Sequence, residues 1–206
     1  MKRRIYIQNQ VLQIYRELDV VSFPLDIDAV IKRYKNVRIL SYQEFAKATQ
    51  CSVNDVIKMC QSETGCTHYE PEKDRYLILY NDDGCVPGRI LWTKAHELGH
   101  IVLKHFADIR CAKYAAFAEE HPNGVLCADK TQIESEADAF ASIVLCPFPM
   151  FKDLGVRTAS DIGSTFGVSR QAAEISETQY KEWLIHHRKT AWENDMRSLL
   201  YTDMEG

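Results

Sequence analysis

His96-Glu97-Leu98-Gly99-His100 is the stretch from which the rest of this chain can be read. Its pattern is H-E-x-x-H. On an α-helix, residues four apart share one face and lie about 6 Å apart along the axis. Two imidazoles placed in that way can bind one Zn²⁺ at about 2 Å. Glu97 then sits beside the metal without ligating it. From there it can take a proton from a zinc-bound water and pass it to a leaving amine. The competing explanation is a chance match on an ordinary amphipathic helix, so the surrounding sequence has to decide.

The flanks support a helix. Pro87 and Gly88 suit a helix start, because proline fits the first turn. Leu91, Ala95, Leu98 and Val102 then form an apolar stripe at helical spacing. His96 and His100 flank that stripe and should face a semi-buried cleft. Gly99 costs roughly 1 kcal/mol in a helix interior relative to alanine. The expected return is close approach of another segment or of the metal.

The bounds are those of one domain, or one domain with a small appendage: 206 residues, 46% of them hydrophobic. A net charge of -4 gives no bulk attraction to nucleic acid or to an anionic membrane. The seven cysteines are Cys51, Cys60, Cys66, Cys85, Cys111, Cys127 and Cys146, and none is spaced C-x-x-C. An odd number without that spacing points to reduced thiols in the cytoplasm rather than to a disulfide frame or a zinc ribbon. Met1-Lys2-Arg3-Arg4 is basic, but no apolar signal core follows it. No apolar run approaches the ~20 residues needed to span a bilayer. Internal repeats and low-complexity linkers are absent.

Ahead of the motif, residues 5–19 read as a helix and Phe23-Pro24-Leu25 as a break. Asp26 or Asp28 can cap a second helix running to about Tyr34. Residues 37–40 form a short strand candidate. Residues 42–61 read as helical, with Ser52 as a cap before Val53, Val56, Ile57 and Met59. Residues 64–69 are a weak strand. The clearest strand is Arg75-Tyr76-Leu77-Ile78-Leu79-Tyr80, rich in β-branched and aromatic residues. A short sheet leading into a helix with two histidines is the layout of zincin-type peptidases. Beyond the motif, residues 106–130 lose clear periodicity. Tyr114 and Phe117 suggest a helix there, and His121-Pro122-Asn123-Gly124 a turn. His121 and Tyr114 are candidate oxyanion donors, although a solvated loop histidine and a packing tyrosine explain them more simply. Phe106 occupies the place of the third histidine in H-E-x-x-H-x-x-G-x-x-H, and His105 is one residue off, so a three-histidine site is disfavoured.

A further ligand must then come from elsewhere, and residues 131–146 offer one. Ile133, Ala137, Phe140, Ala141 and Val144 form one apolar face of a helix that Pro147 and Pro149 stop. At about 100° per residue, Glu134 lies roughly 50° from the centre of that face and Glu136 roughly 110° from it. Glu134 is thus at the buried edge, while Glu136 should point more to solvent. Asp138, one turn after Glu134, is placed to accept the outer N–H of a ligating histidine. Two alternatives stay open. Thr131 and Glu134 also fit a capping box, in which Glu134 would bond only its own helix start, and Glu136 is a second candidate ligand.

Taken together, His96 to His100, then Glu134-Ser135-Glu136-Ala137-Asp138-Ala139-Phe140-Ala141, then an apolar run ending at Pro147, resemble the ImmA/IrrE metallopeptidases. Their pattern is roughly H-E-L-G-H, then E-x-x-A-[ND]-x-F-A. The strand ending in Tyr80-Asn81 is similar too, as is Phe166-Gly167-Val168-Ser169 with Ala172-Ala173. The resemblance covers roughly residues 23–185. It implies zinc on His96, His100 and Glu134, with Glu97 as catalytic base. It also implies that the protein substrate is a helix-turn-helix transcriptional repressor. The chain departs from the pattern at residues 106–130, which are long and carry cysteines.

Residues 158–183 read as helix, Gly167-Val168-Ser169 turn, and second helix, a helix-turn-helix-like arrangement. Glu174, Glu177 and Glu182 on the second helix would repel phosphate, so direct nucleic-acid binding is disfavoured and structural packing preferred. Residues 186–189 should be a solvated helix end. Trp192, Met196, Leu199 and Leu200 form a stripe expected to dock on this chain. The expected fold is α+β and mainly helical: a zincin-like core at residues 1–150 with a sheet of about three strands, and a helical segment at 151–206 packed on it. A substrate strand is expected to pair with the edge of the strand at residues 76–80. The rival reading is a DNA-binding or protein-binding regulator with a structural or vestigial zinc site. A further rival is an adaptor that senses a signal through its cysteines.

Overall fold

Strand β3 (Arg75–Tyr80) is the middle of a three-stranded sheet. In the computed structural model, which describes residues 2–18, 21–106, 130–186 and 190–201, it lies between β1 (Val37–Ser41), parallel to it, and β2 (Gly65–Glu70), antiparallel to it. Successive strand residues point to opposite faces, and here Ile78 and Leu79 are both buried. The sheet is therefore covered on both sides. Ile78 joins the main core, while Leu79 packs with Tyr42, Ala46 and Val56 in a smaller cluster.

The central place of β3 corrects one expectation. Both of its edges are already hydrogen-bonded, so no extended peptide can pair with it. Among the described residues β2 pairs only with β3, and β2 is the strand edge next to the H-E-x-x-H helix.

The smaller cluster is roofed by α3 (Tyr42–Thr49) and α4 (Val53–Cys60), which divide the helical stretch expected over residues 42–61. Gln50 ends α3 in the left-handed conformation, at φ 57°. Ser52 then caps α4 in a reciprocal box with Asp55. A residue that starts one helix this way implies the end of the preceding one.

The main core lies on the other face of the sheet. Here α5 (Pro87–Val102) carries the motif and crosses α6 (Lys130–Leu145) closely. A Cβ at Gly99 would stand 2.9 Å from Phe140 Cδ1 and 3.4 Å from Ala137 Cα. The helix-weakening glycine is thus explained by a helix crossing with no room for a side chain. On the far side of α6 lies α1 (Lys2–Arg16), whose buried Tyr15 hydroxyl donates to Val144 O at 2.8 Å. The short α2 (Ile27–Lys32), capped by Asp26, packs against α5.

The helix-turn-helix-like stretch is α7 (Ala159–Phe166) and α8 (Arg170–His186). Its turn is docked on the core, since a Cβ at Gly88 would meet Ser169 N at 2.5 Å and Val168 C at 2.7 Å. The last helix, α9 (Ala191–Ser198), buries Trp192 and Met196. Trp192 Nε1 donates to Gln8 O of α1 at 2.8 Å, so the expected stripe docks on this chain. The fold is α+β and mainly helical, with a small sheet. The expectations for Tyr114, Phe117, His121, Cys111, Cys127 and residues 187–189 lie outside the described residues.

Candidate metal centre

One turn of α5 separates His96 from His100, and their Nε2 atoms lie 3.1 Å apart. Glu134, from the first turns of α6, brings Oε2 to 3.1 Å from His96 Nε2 and 3.8 Å from His100 Nε2. Donor atoms at 2.0–2.1 Å from one tetrahedral zinc stand about 3.3–3.4 Å apart, and these separations bracket that value. Two neutral imidazoles and a carboxylate are also ordinary zinc donors. The residues present thus fit a metal ion. The Glu134 carboxylate is directed at the two histidines. Hydrogen bonds from His100 and His96 hold its carboxyl well below the usual range.

Asp138 lies one turn further along α6, and its Oδ1 is 2.9 Å from His96 Nδ1. His96 thereby presents one nitrogen to the cluster and the other to a carboxylate. Burial disfavours a charged His96, but the bonds to Asp138 and Glu134 and the nearby Glu97 outweigh it and push its pKa up to about 10.

Glu97 is buried and points to the sheet rather than to solvent. Thr67 on β2 donates its hydroxyl to Glu97 Oε2 at 2.7 Å. Thr67 pairs with Ile78 in the sheet register, so it projects from the face that α5 covers. Burial raises the Glu97 carboxyl above its ordinary pKa, against the opposing pull of His100, His96 and the Thr67 bond. The start of β2 also comes close here: a Cβ at Gly65 would lie 2.5 Å from Thr93 Cγ2 and 3.6 Å from Glu97 Oε1. Thr67 was not singled out in the sequence, where residues 64–69 gave only a weak strand signal.

Two further groups, both named in the sequence, stand beside the cluster rather than in it. His105 does not enter the cluster, but its Nδ1 lies 3.0 Å from His100 Nδ1. Glu136 corrects an expectation: it is 7% exposed rather than turned to solvent. Its Oε2 accepts from Arg3 Nε at 2.6 Å and lies 3.2 Å from His105 Nε2. Burial works against a charged Glu136, yet bonds from Gln132, Arg3 and His105 leave its carboxyl below the ordinary value. With those partners, Glu136 is turned away from the cluster that Glu134 joins.

A sheet-flanked helix that aims two imidazoles and a neighbouring helix's carboxylate at one point, with an unligated acid beside them, has the architecture of the metal-dependent peptidases. Comparison with family models makes this specific. The model described as the IrrE N-terminal-like domain, Peptidase_M78, matches residues 54–176, and the chain belongs to that family. A search of curated proteins returned no match. No helix among the described residues is long and apolar enough to cross a membrane.

Proposed function

We propose that the chain is a cytoplasmic zinc endopeptidase that cuts a helix-turn-helix transcriptional repressor at one site and so releases the genes under its control. The observation that carries the catalytic part is the convergence of His96, His100 and Glu134 beside a buried, unligated Glu97. A structural zinc site has no use for such an acid. In this reading His96, His100 and Glu134 hold zinc and Asp138 fixes the His96 ring. When bound, zinc supplies Lewis acidity, lowering the pKa of water to about 7 and polarising a peptide carbonyl.

The chain's own groups do the rest. The Thr67 hydroxyl occupies Glu97 Oε2, which leaves Oε1 to take the proton of the attacking water. The same oxygen then delivers that proton to the departing amine. Burial raises the Glu97 pKa and makes it a stronger base than an exposed glutamate. An extended substrate fits the outer edge of β2, the strand that carries Thr67, by strand addition.

The repressor follows from family resemblance and from the shape of the chain. A small protein has little length for a general digestive groove, and indiscriminate proteolysis in the cytoplasm would be lethal. We assign the chemistry to residues 1–150 and partner docking to residues 151–206. Docking beside the cleft raises effective concentration without new contacts at the metal.

The test is incubation of the zinc-loaded protein with the repressor encoded beside its gene. The expected result is a single cut that a chelator or Glu97→Gln abolishes, with zinc content and melting temperature unchanged in that variant. Casein and short peptides should be cut slowly or not at all. Rapid digestion of unrelated unfolded proteins would replace this reading with a general peptidase. Undiminished cleavage by Glu97→Gln would mean that another residue is the base.

A further inference from the structure

His105 stands five residues after His100, a spacing that on a continuous helix would turn it about 140° away. The helix is not continuous there. Lys104 adopts the left-handed conformation, φ 61°, and His105 N closes back on His100 O at 3.0 Å. The turn swings the imidazole of His105 under that of His100.

The proton positions along this path are determined by chemistry. His100 offers Nε2 to the metal cluster, 3.1 Å from His96 Nε2. A neutral imidazole that ligates through Nε2 carries its hydrogen on Nδ1. That hydrogen faces His105 Nδ1 at 3.0 Å, so Nδ1 of His105 must be the bare, accepting nitrogen. His105 then carries its own hydrogen on Nε2, which faces Glu136 Oε2 at 3.2 Å. Glu136 can only accept, and it also accepts from Arg3 Nε at 2.6 Å and from Gln132 Nε2 at 2.9 Å. Every donor meets an acceptor in one direction, from His100 outward to Glu136. The inner members are shielded from water, with side chains 3% exposed at His105 and 9% at Glu136. Arg3 lies outside the span matched by the family model.

We propose that His105, Glu136 and Arg3 are positioning residues for the metal centre: His105 locks His100 in the tautomer and orientation that present Nε2, and the Arg3–Glu136 ion pair locks His105. The inference rests on the zinc reading above. It makes the two histidine ligands differently supported. His96 leans on Asp138, whose side chain is 58% exposed, whereas His100 leans on a buried imidazole. It also makes α1 part of the metal site, through Arg3.

The test is zinc affinity of the full chain, measured by competition with a chromophoric chelator, alongside the absorption spectrum of the cobalt-substituted protein and the melting temperature of the metal-free protein. His105→Leu should weaken zinc about 10–100-fold, the range for losing the outer partner of a ligand, and should shift the cobalt bands. His105→Gln should restore most of the affinity, because its amide can accept from His100 and donate to Glu136. Arg3→Gln should weaken zinc in the wild-type background and add nothing in the His105→Leu background. Metal-free melting temperatures that match wild type separate these effects from loss of fold. If His105→Leu does not fold, the Gln and Arg3 variants decide. Wild-type affinity in His105→Leu, or equal losses in the Leu and Gln variants, would overturn the proposal. Failure of the wild-type chain to bind zinc would overturn the metal reading and this inference with it.

Discussion

Glu97 combines two properties that conflict in most carboxylates: it is buried, and among the described residues only its Oε2 is given a hydrogen-bond donor. Thr67 resolves the conflict by satisfying Oε2 alone. Asp138 does comparable work for His96 from the solvent side, with Oδ1 at 2.9 Å from Nδ1. Asp138→Asn is therefore expected to weaken zinc binding by roughly 10–100-fold in a chelator competition, and unchanged affinity would show that Asp138 orients nothing. The convergence of His96, His100 and Glu134 is readable in the sequence because each pair or single residue sits on one helix, where 100° steps fix its direction. Thr67, His105 and Arg3 are not readable in that way. Their partners lie 30 residues away across a strand, just past a left-handed turn, and 133 residues away on another helix. Glu136 shows where the angular argument itself fails. A helix packed on α5 at one side and α1 at another has more than one buried face, and distance from the apolar stripe no longer means solvent.

Periodicity finds helices more readily than it finds their ends or their neighbours. Residues 42–61 read as helical with Ser52 as a cap, and they form α3 and α4 because Gln50 turns left-handed and Ser52 begins anew. The left-handed turn at Gln50 is not identifiable in the sequence, whereas Ser52 is identifiable as a cap. Its hydroxyl accepts from Asp55 N, and Asp55 returns a bond to Ser52 N. Ser52→Ala should cost about 1 kcal/mol in a denaturant titration while leaving zinc content unchanged, since α4 lies on the sheet face opposite the motif. A loss of zinc with this variant would show that the two faces are coupled. Strand order was likewise beyond reach. Arg75–Tyr80 reads plainly as a strand, but nothing local to it says that β1 and β2 take both its edges. β1 pairs in parallel with β3 across a connection that carries α3, α4 and β2.

The main apolar cluster runs from Ile7 to Met196, so the first and last helices share one core with the motif helix. Helix α9 is also tied by charge. Arg197 donates to both oxygens of Asp153, from Nε at 2.6 Å and Nη2 at 2.7 Å. These bonds hold the Asp153 carboxyl below its ordinary value, which is about 3.9. A depressed folded pKa means stabilisation that is present above about pH 4 and lost as pH falls through the folded value. Because Arg197 is partly exposed, Asp153→Asn should cost only about 0.5–1 kcal/mol at pH 7. Its difference from wild type should shrink below about pH 4, and a difference that stayed constant into acid would assign the effect to packing. The mainly helical fold with its small sheet was visible in the sequence because the strong helical stripes and the single strong strand agree with one another. Packing of the helix-turn-helix-like segment on the core was expected too, but not the place of its turn, since the approach of Gly88 to Ser169 is made by backbone atoms. The metal itself can be measured most directly, by elemental analysis of the purified chain and four variants. About one zinc per chain is expected in the wild type and in Glu136→Gln, with zinc lost in His96→Ala, His100→Ala and Glu134→Gln. Zinc retained in both histidine variants, or lost from Glu136→Gln and kept by Glu134→Gln, would contradict the centre described here.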